Sequence, residues 1–170
     1  MLREGHAAPD FCLPCIRPGH GDEPAWVEDR LALADLRGRH ALLYFYPRDA
    51  TPGCSTEASD FRHAYPQLQA QSVQVVGVSR DSLRSHQRFA AKLELPFPLL
   101  SDPDAAMIQA YGAWGEKKLY GKTSLGILRS TVWLDPEGRV HKHYPKVRVK
   151  GHVAQLLADV AQVVGLEGTR

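Results

Sequence analysis

Three cysteines in 170 residues is too few, and too odd a number, for a secreted domain stapled by disulfides. Long hydrophobic runs are missing as well. The longest, Ala41 to Tyr46, is six residues, against the roughly 20 that a membrane-spanning helix needs. The opening Met1-Leu2-Arg3-Glu4-Gly5-His6 has no apolar core of the kind a secretory leader carries, so a cytoplasmic protein is expected. Excess charge of one sign is absent too: 21 basic residues stand against 19 acidic ones, a net of +2, which gives no reason to expect a nucleic-acid or membrane partner. No repeat or low-complexity tract occurs. What remains is 44% hydrophobic and 24% charged, an ordinary globular composition, and 170 residues make a single domain, 1–170, able to bury a core without staples.

Along that domain, Pro14, Pro18, Gly19, Gly21 and Pro24 make residues 14–25 read as a long exposed turn. Ala41–Tyr46, stopped by Pro47, reads as a buried strand. Ala58, Phe61, Tyr65 and Leu68 recur at spacings of 3, 4 and 3, one face of a helix that Pro66 should kink or shorten. Val73–Ser79 reads as a second strand, and Asp81 or Ser82 can cap a helix carrying Leu83, Phe89, Ala90 and Leu93. Leu99-Leu100 gives a short strand, and Asp102-Pro103 is a favourable helix start. Gly112–Gly126 shows no periodicity. Ser130–Leu134 and Arg139–Tyr144 flank a turn, and Val153, Leu156, Val160 and Val163 mark a last helix ending near Gly165. Helices alternating with strands, plus one late hairpin, imply an α/β fold with a central mixed sheet covered on both faces.

The segment that carries chemistry is Tyr46-Pro47-Arg48-Asp49-Ala50-Thr51-Pro52-Gly53-Cys54. A buried strand feeds a tight loop, and the loop delivers a cysteine to the first turn of a helix. Unpaired N–H groups and the helix dipole favour a thiolate there. Thr51 lies three residues upstream, where its hydroxyl can serve a group bound at the sulfur, and Arg48 or a cation brought in by the fold can add positive charge.

Thr51-Pro52-Gly53-Cys54, preceded by Phe45-Tyr46-Pro47 and followed by Glu57, resembles the active-site motif of peroxiredoxins, in the bacterioferritin comigratory (PrxQ-like) subgroup. The likeness continues through Ala8-Pro9-Asp10-Phe11, Val78–Ser82 with His86 and Phe89, Leu95–Asp102, Tyr111-Gly112, Trp114-Gly115, Tyr120–Lys122 and Arg129-Ser130-Thr131. It implies a thioredoxin-like three-layer α/β/α fold and a thiol peroxidase needing no cofactor or metal. Cys54 is similar to the peroxidatic cysteine, Thr51 to the hydroxyl that holds the peroxide, Arg129 to the arginine set against the thiolate, and Pro47 to the residue shielding the pocket. The Gly53 and Cys54 amides complete the peroxide site. The implied partners are a peroxide and thioredoxin or another thiol reductant, and the implied state is a monomer or weak dimer.

Thiolate formation is the smaller part of such catalysis. A free thiol of pKa about 8.5 is roughly 3% ionised at pH 7. Lowering the pKa to about 6 raises that fraction roughly 30-fold, but a Brønsted slope of about 0.4–0.5 takes about tenfold back. Most of the rate must come from aligning the O–O bond and stabilising the departing oxygen, the work assigned to Thr51, Arg129 and the helix amides.

The sequence departs from the family where many of the subgroup carry a resolving cysteine. Five residues after Cys54 stands Ser59, and residues 82–95 contain no cysteine. The other thiols lie in Cys12-Leu13-Pro14-Cys15. No helix opens there as the thioredoxin redox motif requires, and a zinc site lacks ligands beyond His20. Cys12 or Cys15 as resolving thiols on a mobile N-terminal loop, a mutually paired or incidental couple, and reduction of Cys54 sulfenic acid by an external thiol all stay open. So do two other functions: a peroxide sensor that oxidises a partner protein, and a disulfide reductase using Cys12 and Cys15. Gly121-Lys122-Thr123 lacks the rest of a phosphate loop. His141, His143 and the basic residues Lys142, Lys146, Arg148 and Lys150 read as solvated surface, and His86 as a helix-packing residue.

Overall fold

The computed structural model describes residues 2–167. Its main sheet has seven strands: β1 (Cys12–Pro18), β2 (Trp26–Ala32), β3 (His40–Phe45), β4 (Val73–Ser79), β5 (Leu99–Ser101), β8 (Ser130–Leu134) and β9 (Val140–Tyr144). They lie in the order β2-β1-β5-β4-β3-β8-β9. The pairs β3/β4 and β4/β5 are parallel, and the others are antiparallel. A separate hairpin is made of β6 (Trp114–Leu119) and β7 (Lys122–Ile127). The helices are α1 (Pro52–Ala70), α2 (Leu83–Leu93), α3 (Ala106–Ala110) and α4 (His152–Glu167), with a 3₁₀ turn at Leu33–Leu36. Among the described residues, no helix is long and apolar enough to cross a membrane.

β3 is buried at every position because it sits inside the sheet, and its alternation feeds two cores. Leu42, Tyr44 and Tyr46 point to the face covered by α1, α2 and α4, where they meet Phe61, Leu68, Phe89 and Leu156. Leu43 and Phe45 point to the opposite face, with Leu36, Ile108 and Tyr111. The expected three-layer mixed-sheet arrangement is therefore present, with unequal layers: three long helices on one side, and a 3₁₀ turn with the short α3 on the other.

Several local expectations are corrected. The stretch read as one long exposed turn contains strand at both ends, since β1 runs to Pro18 and β2 begins at Trp26. Prolines fit there because β1 has a third-strand neighbour only at Cys15 and Ile16, which leaves one side of Pro14 and Pro18 without a ladder to break. Pro66 does not shorten α1, which continues to Ala70. The helix expected at Asp102-Pro103 starts at Ala106, and the Asp102 carboxylate instead accepts from the Ile108 amide at 2.8 Å. Ser82, not Asp81, caps α2, accepting from the Ser85 amide. The stretch without periodicity is the β6/β7 hairpin.

Candidate active site

Strand β3 ends at Phe45, and the loop 46–51 leads into α1, whose first residue is Pro52. A buried network fixes this loop. Tyr46 Oη donates to Asp49 Oδ1 at 2.6 Å, and Ser85 Oγ donates to Asp49 Oδ2 at 2.8 Å. His86 Nδ1 lies 2.8 Å from Asp49 Oδ2, and the Asp49 amide donates to Asp81 Oδ2 at 2.8 Å. The ligand-type atoms of Asp49, Asp81 and His86 cluster within 4.8 Å. Hydroxyls, an amide and the Leu100 carbonyl, 2.8 Å from His86 Nε2, already engage them, so the cluster works as an anchor for the loop. His86 thus does more than pack α2.

The anchored loop sets an unusual helix start. Thr51 is the residue before α1, a position where a threonine hydroxyl ordinarily caps a first-turn amide. Here it makes no cap bond. Its Oγ1 donates to the Arg48 carbonyl at 2.8 Å, which commits its proton and leaves its lone pairs to accept from a bound O–H. The first bond of the helix ladder runs from the Ser55 amide to the Thr51 carbonyl, and Pro52 has no N–H. The Gly53 and Cys54 amides therefore precede the ladder and are left for a ligand.

Cys54 is 1% exposed, on the face of α1 that packs into the core. Arg129, from the segment between β7 and β8, reaches it: Nη2 lies 3.4 Å from Cys54 Sγ, while Nη1 donates to Glu57 Oε1 at 2.7 Å. Gly53 permits this approach, because a Cβ there would lie 3.3 Å from Arg129 Nη2. The fold thus brings Thr51, Gly53, Cys54 and Arg129 together, with half-buried Pro47 at the foot of the loop. Arg48 is exposed, and the cation at the sulfur is Arg129.

Glu57 is the residue whose part in the site went unread in the sequence. Its side chain is fully buried, and among the described residues Oε2 has no hydrogen-bond partner. Burial outweighs the pull of Arg129 and pushes its pKa up to about 7. Folding therefore retains a proton on Glu57 from its ordinary value of 4.5 up to about 7, and stability falls as pH rises through that window. Glu57→Gln keeps an oxygen for Arg129 and removes the slope. Its unfolding free energy relative to wild type should rise by about 2 kcal/mol between pH 5 and pH 8. Denaturant titrations at the two pH values check this, and equal differences would contradict it.

Cys12 and Cys15 lie on β1, so the expected mobile loop is a paired strand. Three residues of strand separate their Cα atoms by ~10 Å, beyond the ~7 Å a disulfide tolerates. Cys12 is exposed. Cys15 is buried in the core on the opposite face of the sheet from Cys54, and burial pushes its thiol up to about 11. No helix start serves either sulfur.

The AhpC/TSA family model matches residues 5–143. The chain belongs to the AhpC/TSA family. Within it, a putative peroxiredoxin Bcp of Coxiella burnetii is 44% identical over 156 residues, covering 92% of this chain and 97% of the relative. Peroxiredoxin Bcp of Bacillus subtilis is 42% identical over 153 residues, covering 90% and 91%. The solved structure of Xanthomonas campestris peroxiredoxin Q superposes with a TM-score of 0.75 at 43% identity, covering 79% of this chain and 85% of that one. Membership in the AhpC/TSA family agrees with the peroxiredoxin resemblance drawn from the motifs and with the thioredoxin-like fold.

Proposed function

We propose that this chain is a thiol peroxidase that reduces hydrogen peroxide and organic hydroperoxides through Cys54. The observation that carries the reading is Arg129 bridging Cys54 Sγ at 3.4 Å and Glu57 at 2.7 Å, beside two amides that the helix does not use. A structure of the Xanthomonas campestris bacterioferritin comigratory protein, 42% identical, addresses alkyl peroxide reduction, which supports the same chemistry here.

The Cys54 thiolate attacks the terminal oxygen of R–O–O–H. An S–O bond forms and the O–O bond breaks, with both of its electrons leaving on RO⁻, which takes up a proton and departs as water or alcohol. Sulfur is oxidised by two electrons to Cys54–S–OH. Thr51 accepts from the hydroperoxide O–H, while Arg129 and the Gly53 and Cys54 amides hold the oxygens as charge moves onto them. Pro47 walls the pocket. A reductant thiol then condenses with the sulfenic acid, expelling water. A second thiol releases Cys54 and carries the disulfide away.

Thioredoxin or another external thiol is the reductant, acting in the cytoplasm on a monomer or weak dimer. The placement of Cys12 and Cys15 supports a one-cysteine cycle over internal resolution. After one equivalent of peroxide, mass mapping should find sulfenic acid on Cys54 and no link to another cysteine. A Cys54–Cys12 or Cys54–Cys15 disulfide as the main product would replace that cycle with a two-cysteine one, and absence of any Cys54 oxidation would remove the peroxidase reading.

A further inference from the structure

The main sheet has a gap one strand wide at the end away from Cys54. β5 is three residues long and lies between β4 and β1. It pairs with β4 over Gly77–Ser79 and with β1 only at Cys15 and Ile16. β4 begins earlier, at Val73, and β1 continues to Pro18. Pro98 still holds the place between Val76 and Arg17, and with no N–H it ends the ladder there. Beyond it, Gln74–Val75 and Pro18 stand on either side of a strand position that carries no ladder bond among the described residues, two ladder spacings or ~9–10 Å apart. Pro96 and Pro98 line the opening. The Gly77 amide donates toward β5, to the Pro98 carbonyl at 3.1 Å. Two residues earlier, the alternation of the strand turns the Val75 N–H and C=O the same way, into the gap.

The gap opens into a groove of about 1040 Å³, at the top of the ~300–1,000 Å³ range of pockets that hold a drug-sized molecule. Its charged lining is three arginines, Arg17, Arg39 and Arg62, and one acid, Glu94. Arg17 is already held by Glu23 and Asp29. Arg39 donates to the neutral Gln74 amide oxygen at 3.0 Å, so its charge is available. Arg62 meets Glu94 at 3.2 Å in an exposed pair of the kind worth ~0–1 kcal/mol, which a competing carboxylate can displace. Tyr65 and Leu36 supply apolar walls.

The geometry points to an acidic, extended peptide segment of a partner protein as the occupant, added as a short strand against β4. The Val75 backbone supplies the ladder, Arg39 and Arg62 take carboxylates on either side, and the walls take an intervening apolar side chain. The groove is separate from the peroxide site: Arg62 lies eight residues beyond Cys54 on α1, ~12 Å along the helix.

The probe is a blocked peptide, acetyl-Glu-Val-Asp-Val-Glu-amide, titrated into isotope-labelled full-length protein. Saturable binding is expected, with the Val75 amide shifted and its hydrogen exchange slowed. Affinity should fall at least tenfold in Arg39→Gln/Arg62→Gln, and as much for wild type with a peptide N-methylated at its central residue, while peroxide consumption stays unchanged. Lack of saturation at millimolar peptide would overturn the proposal. So would equal binding of the N-methylated peptide, or full competition by inorganic phosphate at the peptide's own concentration, which would leave a simple anion site. A ten-residue oligothymidylate binding the same residues more tightly would make the groove a nucleic-acid site and equally end the peptide proposal.

Discussion

Cys54→Ser will consume peroxide at a rate lower than wild type by on the order of 10⁴-fold or more in kcat/KM, since a serine hydroxyl at this site has no base to ionise it. The group hydrogen-bonded to the sulfur is the Arg129 guanidinium, which donates and cannot take a proton. The companion experiment is Cys12→Ser/Cys15→Ala, with alanine at the buried position to avoid placing a hydroxyl in the core. With a generic thiol as reductant, it should stay within about twofold of wild type, because Cys15 packs in the core on the opposite face of the sheet from Cys54, and the exposed Cys12 stands on β1, which β5 and β4 separate from β3. Turnover of peroxide in the presence of excess thiol measures both. Retained activity in Cys54→Ser would sink the peroxidase assignment, whereas loss in the double variant would overturn only the one-cysteine cycle.

Arg129→Lys should cost about 10²–10³-fold in kcat/KM, the loss typical of removing one preorganised donor from developing negative charge. The conservative replacement is the informative one. A guanidinium reaches Glu57 through one nitrogen and the sulfur through another, while an ammonium is a single point that cannot span both. Arg129→Ala removes more, but it also strands a buried carboxyl, so part of its effect is lost stability. Steady-state kinetics paired with a melting curve separates the two: Arg129→Lys should lose rate with little change in Tm. A lysine variant with wild-type kcat/KM would show that the fork geometry is unnecessary.

The parts of this protein legible from sequence are those where one periodicity dominates. β3 is a continuous apolar run because both faces of the sheet are covered, and α1 shows Ala58, Phe61 and Leu68 on its buried side. β6 and β7 were illegible because the hairpin stands off the main sheet and buries little, leaving Leu119, Tyr120 and Leu125 exposed. β1 was obscured by prolines that mark turns in most settings.

The site divides the same way. Thr51, Gly53 and Cys54 could be read because four consecutive residues build a helix start. Arg129, 75 residues away, came only through the resemblance, since nothing local in Leu128-Arg129-Ser130 says what a cation there will touch. Glu57 carried a usable signal: three residues after the cysteine, an acid falls on the same face of α1 as Ala58 and Phe61, where a charge requires a partner. Asp49 gave no such sign, because its partners other than Tyr46 come from α2 and the loop between β4 and α2.

The threonine that declines to close its own helix sets two demands against each other. An aspartate or asparagine at position 51 that turned inward would tie down the Gly53 or Cys54 amide and make α1 more heat-resistant by about 1 kcal/mol. It would also plug the cradle with the protein's own oxygen, a built-in inhibitor. Screening this scaffold for thermal robustness alone would therefore enrich variants that outlast the parent and no longer admit an oxidant.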